Sequence, residues 1–262
     1  MKTTEKIAVI VFALLFAAAW GFSADRYQEV IDQSYPLAAA GSVSLDNVNG
    51  DVSIEVWERD EVRVHAVKSA GSQELLDELK VEIDADPSAV RIHTEYPSSR
   101  RSRDRDHDHS SEGNHTKVEY TLTVPRTAKI DDVDLVNGSL LIVGVEGGVE
   151  ASTVNGNISV REGAGLAELE TVNGGIELRV DRVTFDDEIA LETVNGTIDL
   201  YLARSVGAEI RAETVNGRLG NDLGIDVRKG KYVGASFDGT VGGGGPRIDL
   251  ETVNGSIEVH TW

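Results

Sequence analysis

Apolar and polar positions alternate with a period of two through most of the second half of the chain. Leu191, Thr193, Ile198, Leu200 and Leu202 are apolar or β-branched, with Glu192 and Asp199 between them. Ala167, Leu169 and Thr171, then Ile176, Leu178 and Val180, follow the same pattern. Alternation of this kind on both sides of a short turn predicts strand, turn, strand, and the period together with the glycines excludes helix. The turn is always Val-Asn-Gly. It occurs seven times, ending at Gly50, Gly138, Gly156, Gly174, Gly196, Gly217 and Gly255, with spacings of 18, 18, 22, 21 and 38 from Gly138 onwards. Thr precedes the valine in five copies (Thr153, Thr171, Thr193, Thr214, Thr252), and Glu precedes that Thr in four (Glu170, Glu192, Glu213, Glu251).

Two all-β architectures fit. Asn-Gly between alternating runs is a strong hairpin signal, which would give an antiparallel β-meander. A hairpin gives no reason for Thr and Val to recur before the turn. A β-solenoid (β-helix) with about 18–22 residues per coil does, because stacked coils place identical side chains in ladders about 4.8 Å apart. The solenoid is therefore the preferred expectation. In it Asn137, Asn155, Asn173, Asn195, Asn216 and Asn254 form a structural amide ladder, glycine supplies a positive φ at each corner, and Thr and Val fill the stacked flank. The gap of 38 predicts a degenerate rung near residues 231–239.

The rung Glu-Thr-Val-Asn-Gly-x-Ile-x-Leu and the earlier copy Leu45-Asp46-Asn47-Val48-Asn49-Gly50-Asp51-Val52 resemble the bacterial "putative adhesin" domains, exported or membrane-linked repeat proteins. The resemblance spans residues 41–262. It implies a β-solenoid in the cell envelope and carries no catalytic residues.

Residues 1–24 read as a signal peptide: Lys2 and Lys6, an apolar run from Ile7 to Trp20, then small residues up to Ala24. Export is expected, to the periplasm or the cell surface, with no membrane span left after cleavage; the alternative is an uncleaved membrane anchor, for which the apolar stretch from Ile7 to Ala24 is at the short edge of a span. Residues 25–126 form an N-terminal β region. Its strands fall at Val43–Val48, Val52–Trp57, Val62–Val67, Lys80–Ile83, Val90–Thr94 and Lys117–Val124. A short helix follows an N-cap at Ser72, over about 72–80. A charged stretch over about 97–116 has no apolar anchor and reads as a loop. Residues 127–262 form the repeat region, continuous with what precedes it, and Trp262 is placed as a cap over the last coil.

Composition narrows the function. The chain has 262 residues, no cysteine, 5% aromatics and a net charge of −20. Removing the signal segment, which carries Lys2, Lys6 and Glu5, leaves −21. The absence of cysteine excludes disulfides, thiolate metal sites and a cysteine nucleophile. The acidic balance argues against nucleic acid and anionic lipid as partners. No nucleophile elbow, phosphate-binding loop or zinc helix motif occurs, so no catalytic residue and no cofactor are assigned, and the protein is read as non-enzymatic. The partner class expected is an envelope or surface partner. The metal candidates, calcium being the cation considered, are the stacked carboxylates Glu170, Glu192, Glu213 and Glu251 and the loop histidines His107, His109 and His115. Glu192 and Glu213 are also the pair expected to line a polysaccharide-active groove, if the protein is an enzyme instead. The simplest alternative is a solvated acidic face that guards against aggregation.

Overall fold

The computed structural model describes residues 27–97, 116–164, 166–183, 188–231 and 233–262. The expected signal peptide and the loop histidines His107, His109 and His115 lie outside the described residues. Among the described residues the protein is all-β with one short helix, and the strands form two large mixed sheets, one of 10 strands and one of 11.

In chain order the N-terminal strands are β1 (Tyr27–Pro36), β2 (Ser42–Asn49), β3 (Val52–Trp57) and β4 (Glu61–Ala70). Then come α1 (Gln73–Glu78), β5 (Lys80–Asp86), β6 (Ala89–Glu95) and β7 (Lys117–Pro125). Ser72 caps α1, its side chain accepting from the Leu75 amide at 3.2 Å. β1 had no clear apolar alternation. It is held antiparallel to β4 along its whole length, with Arg63 paired to Asp32 and Lys68 to Glu29, both at 2.5 Å.

The repeat region runs through β8 (Lys129–Asn137), β9 (Leu140–Val143), β10 (Val149–Asn155), β11 (Ile158–Ala164), β12 (Ala167–Asn173) and β13 (Ile176–Arg182). It continues with β14 (Glu188–Asn195), β15 (Ile198–Leu202), β16 (Ala208–Asn216), β17 (Leu219–Asn221), β18 (Arg228–Lys229), β19 (Ala235–Val241), β20 (Arg247–Asn254) and β21 (Ile257–Thr261). Each Asn-Gly corner carries the chain out of the 11-stranded sheet and into the 10-stranded one. Within each sheet the repeat strands pair in parallel, β8 with β10, β10 with β12 and β12 with β14 on one side, β9 with β11 and so on opposite. The antiparallel meander is therefore excluded for the repeats: the strands flanking each Asn-Gly lie in different sheets.

Inward positions of both sheets meet in one apolar cluster running from Leu37 to Val259. Its layers are built from Leu169, Leu191 and Leu250 on one side and Ile176, Ile198 and Ile257 on the other, so the two-residue alternation of the sequence becomes one buried and one solvated face per sheet.

The order of the rungs departs from simple sequential stacking. The last rung, β20 and β21, inserts between β14/β15 and β16/β17, so the spatial order is β14–β20–β16 and β15–β21–β17. The degenerate rung expected at residues 231–239 is instead β19 with its neighbour β18, and β19 runs antiparallel to β16 on the side away from β20. The chain thus straddles β16, passing from β19 to β20 through Gly242–Gly245. That crossing is backbone on backbone. A Cβ on Gly207 would lie 2.4 Å from the Gly244 carbonyl, and one on Gly245 2.1 Å from the Gly207 carbonyl. Because β21 is internal, Trp262 caps no coil. It lies against the outer face of the 10-stranded sheet with the Arg179 guanidinium 4.5 Å from its ring centre.

Candidate functional site

The corner of every rung is built from side chains stacked along the 11-stranded sheet. Seven asparagines form one chain of amide hydrogen bonds, in the order Asn49, Asn137, Asn155, Asn173, Asn195, Asn254 and Asn216. Each Nδ2 donates to the Oδ1 before it at 2.9–3.0 Å. Asn49 joins this ladder although 88 residues separate it from Asn137. In five corners the residue before the valine is a threonine that points inward, its Oγ1 donating to the glycine carbonyl of the neighbouring rung, at 3.1 Å for Thr171 to Gly156 and 3.0 Å for Thr193 to Gly174; in the second copy a buried Leu135 stands there. In the first copy Asn47 takes that place, its Nδ2 reaching the Val118 carbonyl at 2.9 Å. The Tyr96 hydroxyl lies 2.8 Å from Asn47 Oδ1 and accepts from the Asn49 amide at 3.0 Å. Burial pushes its pKa up to about 12.

The corner glycines serve a different purpose from the one expected. Of the seven only Gly50 has a positive φ, at 123°. The others are glycine because the next rung leaves no room: a Cβ on Gly174 would sit 1.8 Å from the Gly156 carbonyl oxygen, and one on Gly196 1.7 Å from that of Gly174.

The valines stack from rung to rung, but not on the flank that the threonines fill. They share strand parity with the acidic residues and face solvent, with Val172, Val194, Val253 and Val215 between 40% and 48% exposed. Beside them runs the second row, in the order Asp46, Asp134, Ser152, Glu170, Glu192, Glu251 and Glu213. The inserted rung changes which carboxylates are neighbours: Glu251 stands between Glu192 and Glu213, so the two residues expected as an adjacent pair are two rungs apart. Glu192 is held above its ordinary value, first by desolvation and then by the neighbouring carboxylates Glu170 and Glu251. Arg211 binds Glu213 at 2.8 Å, and Arg247 binds Asp249 at 2.6 Å. On the opposite sheet Glu177, Asp199 and Glu258 form a shorter row in register.

The two rows floor a groove of about 580 Å³, running from Ser152 to Glu213 and walled at one end by Gly230, Val233 and Gly234. The sequence pattern singles out the carboxylates and puts Val with Thr on one stacked flank; the structure separates the two, turning the valine row outward beside the carboxylates and walling it at one end. The parity of the strands could have found the row: with Leu169 and Thr171 inside, Glu170 and Val172 must both point out. Among the described residues no group of three or more His, Asp or Glu side chains is gathered to hold a metal ion, and the four glutamates form a row instead of a cluster. Also among the described residues, no helix is long and apolar enough to cross a membrane.

No family model matches the sequence, and no curated protein matches it. Solved structures do resemble the fold. A Clostridium sporogenes protein described as a "putative cell adhesion protein" superposes with a TM-score of 0.53 at 14% identity, covering 91% of this chain and 100% of that one. An adhesin-named protein of Parabacteroides merdae reaches 0.34 at 13% identity, covering 91% and 96%. A protein of Parabacteroides distasonis named for lipid binding reaches 0.33 at 11%, covering 91% and 97%. The first likeness is one of fold; the other two are too distant to carry an argument.

Proposed function

We propose that this chain is an exported, adhesin-like protein of the cell envelope, a flattened β-solenoid whose two sheets are its walls and whose outer faces are its working surface. One observation carries the reading: seven corners, spread from Val48 to Gly255, share one register and each turn a valine and an asparagine outward at the strand spacing of a sheet. Repetition of that kind builds an extended surface able to engage a partner at many points, and many weak contacts add by avidity. The fold likeness to a Clostridium sporogenes protein named for cell adhesion supports it, as does the leader-like segment of residues 1–24.

The test is direct. Beads coated with residues 25–262 should be retained on bacterial or epithelial cell layers under flow more strongly than beads carrying albumin or the urea-unfolded chain. Retention no better than albumin on every surface tried would overturn the adhesin reading. Saturable cleavage of a cell-wall or capsular polysaccharide by the purified chain would replace it with an enzyme.

A further inference from the structure

The groove on the 11-stranded sheet narrows what such a surface can hold. Its floor is a pair of parallel rows, Val172, Val194 and Val253 beside Glu170, Glu192 and Glu251, two residues or about 6.7 Å apart along each strand. Rungs repeat about every 4.8 Å along the rows. Three properties follow for an occupant.

It must satisfy its own backbone. β12, β14, β20 and β16 are each hydrogen-bonded on both sides, so the groove floor offers side chains and no free strand edge. An extended peptide lying here would leave its own amides unpaired, which costs about 1–3 kcal/mol for each buried group. A helix has no such cost, and its turn of about 5.4 Å lies close to the rung pitch. The occupant must also carry an apolar stripe, because the valine row is exposed and continuous and Val233, 67% exposed, closes its end. Finally it must be cationic beside that stripe. Arg211 already engages Glu213, whereas the central Glu192 is flanked by Glu170 and Glu251 at adjacent rungs.

We propose that this groove docks a cationic amphipathic helix, its Lys or Arg row on Glu170, Glu192 and Glu251 and its apolar row on Val172, Val194 and Val253. The chemistry is that of membrane-surface helices, with basic residues on one face and large apolar residues on the other. The inference deepens the surface-presentation reading and rests on it.

The probe is a labelled helical peptide of about 18 residues, Lys and Leu at i, i+3 and i+4 spacing, titrated into residues 25–262 by fluorescence anisotropy. Two comparators are a Lys/Gln peptide of equal charge and spermine. Tighter binding of the Lys/Leu peptide than of either comparator is expected. The double variant Val194→Thr/Val253→Thr, which keeps the β-branch, should weaken that peptide about tenfold, and Glu192→Gln/Glu251→Gln by at least as much. Glu177→Gln/Asp199→Asn on the opposite sheet should leave it unchanged. Equal affinity for the Lys/Gln peptide or for spermine would overturn the proposal, since the overall acidic field would then explain binding. Equal weakening by the opposite-face variant, or no effect of the valine variant, would do the same. Bead retention that survives such a result leaves the adhesin reading standing, whereas tight peptide binding without retention removes that reading alone.

Discussion

A methyl group added at Gly174 would fall 1.8 Å from the Gly156 carbonyl oxygen, well inside van der Waals contact, in the most regular part of the stack. Gly174→Ala should therefore cost about 1–3 kcal/mol or more, because two rungs must part to admit it. Gly243→Ala is the informative comparison. Gly243 has a positive φ of 88° and open space around its Cβ position, so only the left-handed backbone is penalised, by about 1 kcal/mol. Urea unfolding of both variants checks the order. Thr193→Val removes the hydrogen bond to the Gly174 carbonyl while keeping shape and burial, and about 0.5–1.5 kcal/mol should go with it. The asparagines carry a chemical prediction. An Asn-Gly pair deamidates when the following amide nitrogen can attack the side-chain carbonyl, and glycine does not hinder that attack. At Asn173 and Asn195 both amide atoms are tied to neighbouring rungs. Native protein should keep these residues intact over an incubation that deamidates the urea-unfolded chain, as read by peptide mass spectrometry; equal rates in both would contradict the ladder.

Among the elements, β20 and β21 bridge rungs that are otherwise not paired with each other. They follow β16 to β19 in sequence yet lie inside the stack, hydrogen-bonded to β14 and β16 on one wall and to β15 and the edge strand β17 on the other. Ending the chain after Pro246 would leave β16 without its parallel partner and remove the fully buried Ile248, Leu250, Ile257 and Val259. The expected result is loss of one cooperative transition, with β16 to β19 melting separately or not folding at all; circular dichroism and hydrogen exchange would read it. A truncated chain that melted as one unit at an unchanged temperature would mean that β16 docks directly on β14. At the other end, Ser72→Ala should cost only about 1 kcal/mol, since it removes a single cap from a six-residue helix.

For the whole molecule the dominant quantity is the charge of −20, much of it arranged in rows. Glu192, Glu150 and Asp132 are each held above the ordinary value for their type, first by desolvation of the carboxylate and then by neighbouring carboxylates. A raised acid binds its proton more tightly when folded, so lowering the pH from neutral towards 4.5 adds protons to the folded form first and stabilises it. Asp32, held low by Arg63, works in the opposite sense: its contribution is present above 3.8 and is lost as the pH falls further. The melting temperature should accordingly rise on mild acidification and fall again in strong acid. Added salt should flatten the rise by screening the exposed rows. A melting temperature that only declined from neutral pH downwards would show that the rows carry no net strain.

Sequence alone determined the local geometry here. Period two fixed the strands, the parity of Leu169, Glu170 and Thr171 fixed which side chains face the core, and the recurrence of Asn at one offset fixed a shared corner. These follow from the backbone's own repeat, which is written residue by residue. The order in which rungs stack was decided by tertiary structure. Every rung offers nearly the same edge, so the repeat cannot say that Asn254 lies between Asn195 and Asn216, or that Asn49 lies beside Asn137. The long links and the glycine crossing at Gly207 and Gly242–Gly245 made that choice. The corner glycines depart from expectation for the same reason: a turn residue suggests a torsion, whereas the actual constraint is a carbonyl arriving from another rung. The groove is a tertiary product too. Glu251 enters the row between Glu192 and Glu213 because a strand remote in sequence was inserted there, and only that insertion gives the carboxylates and valines their final neighbours.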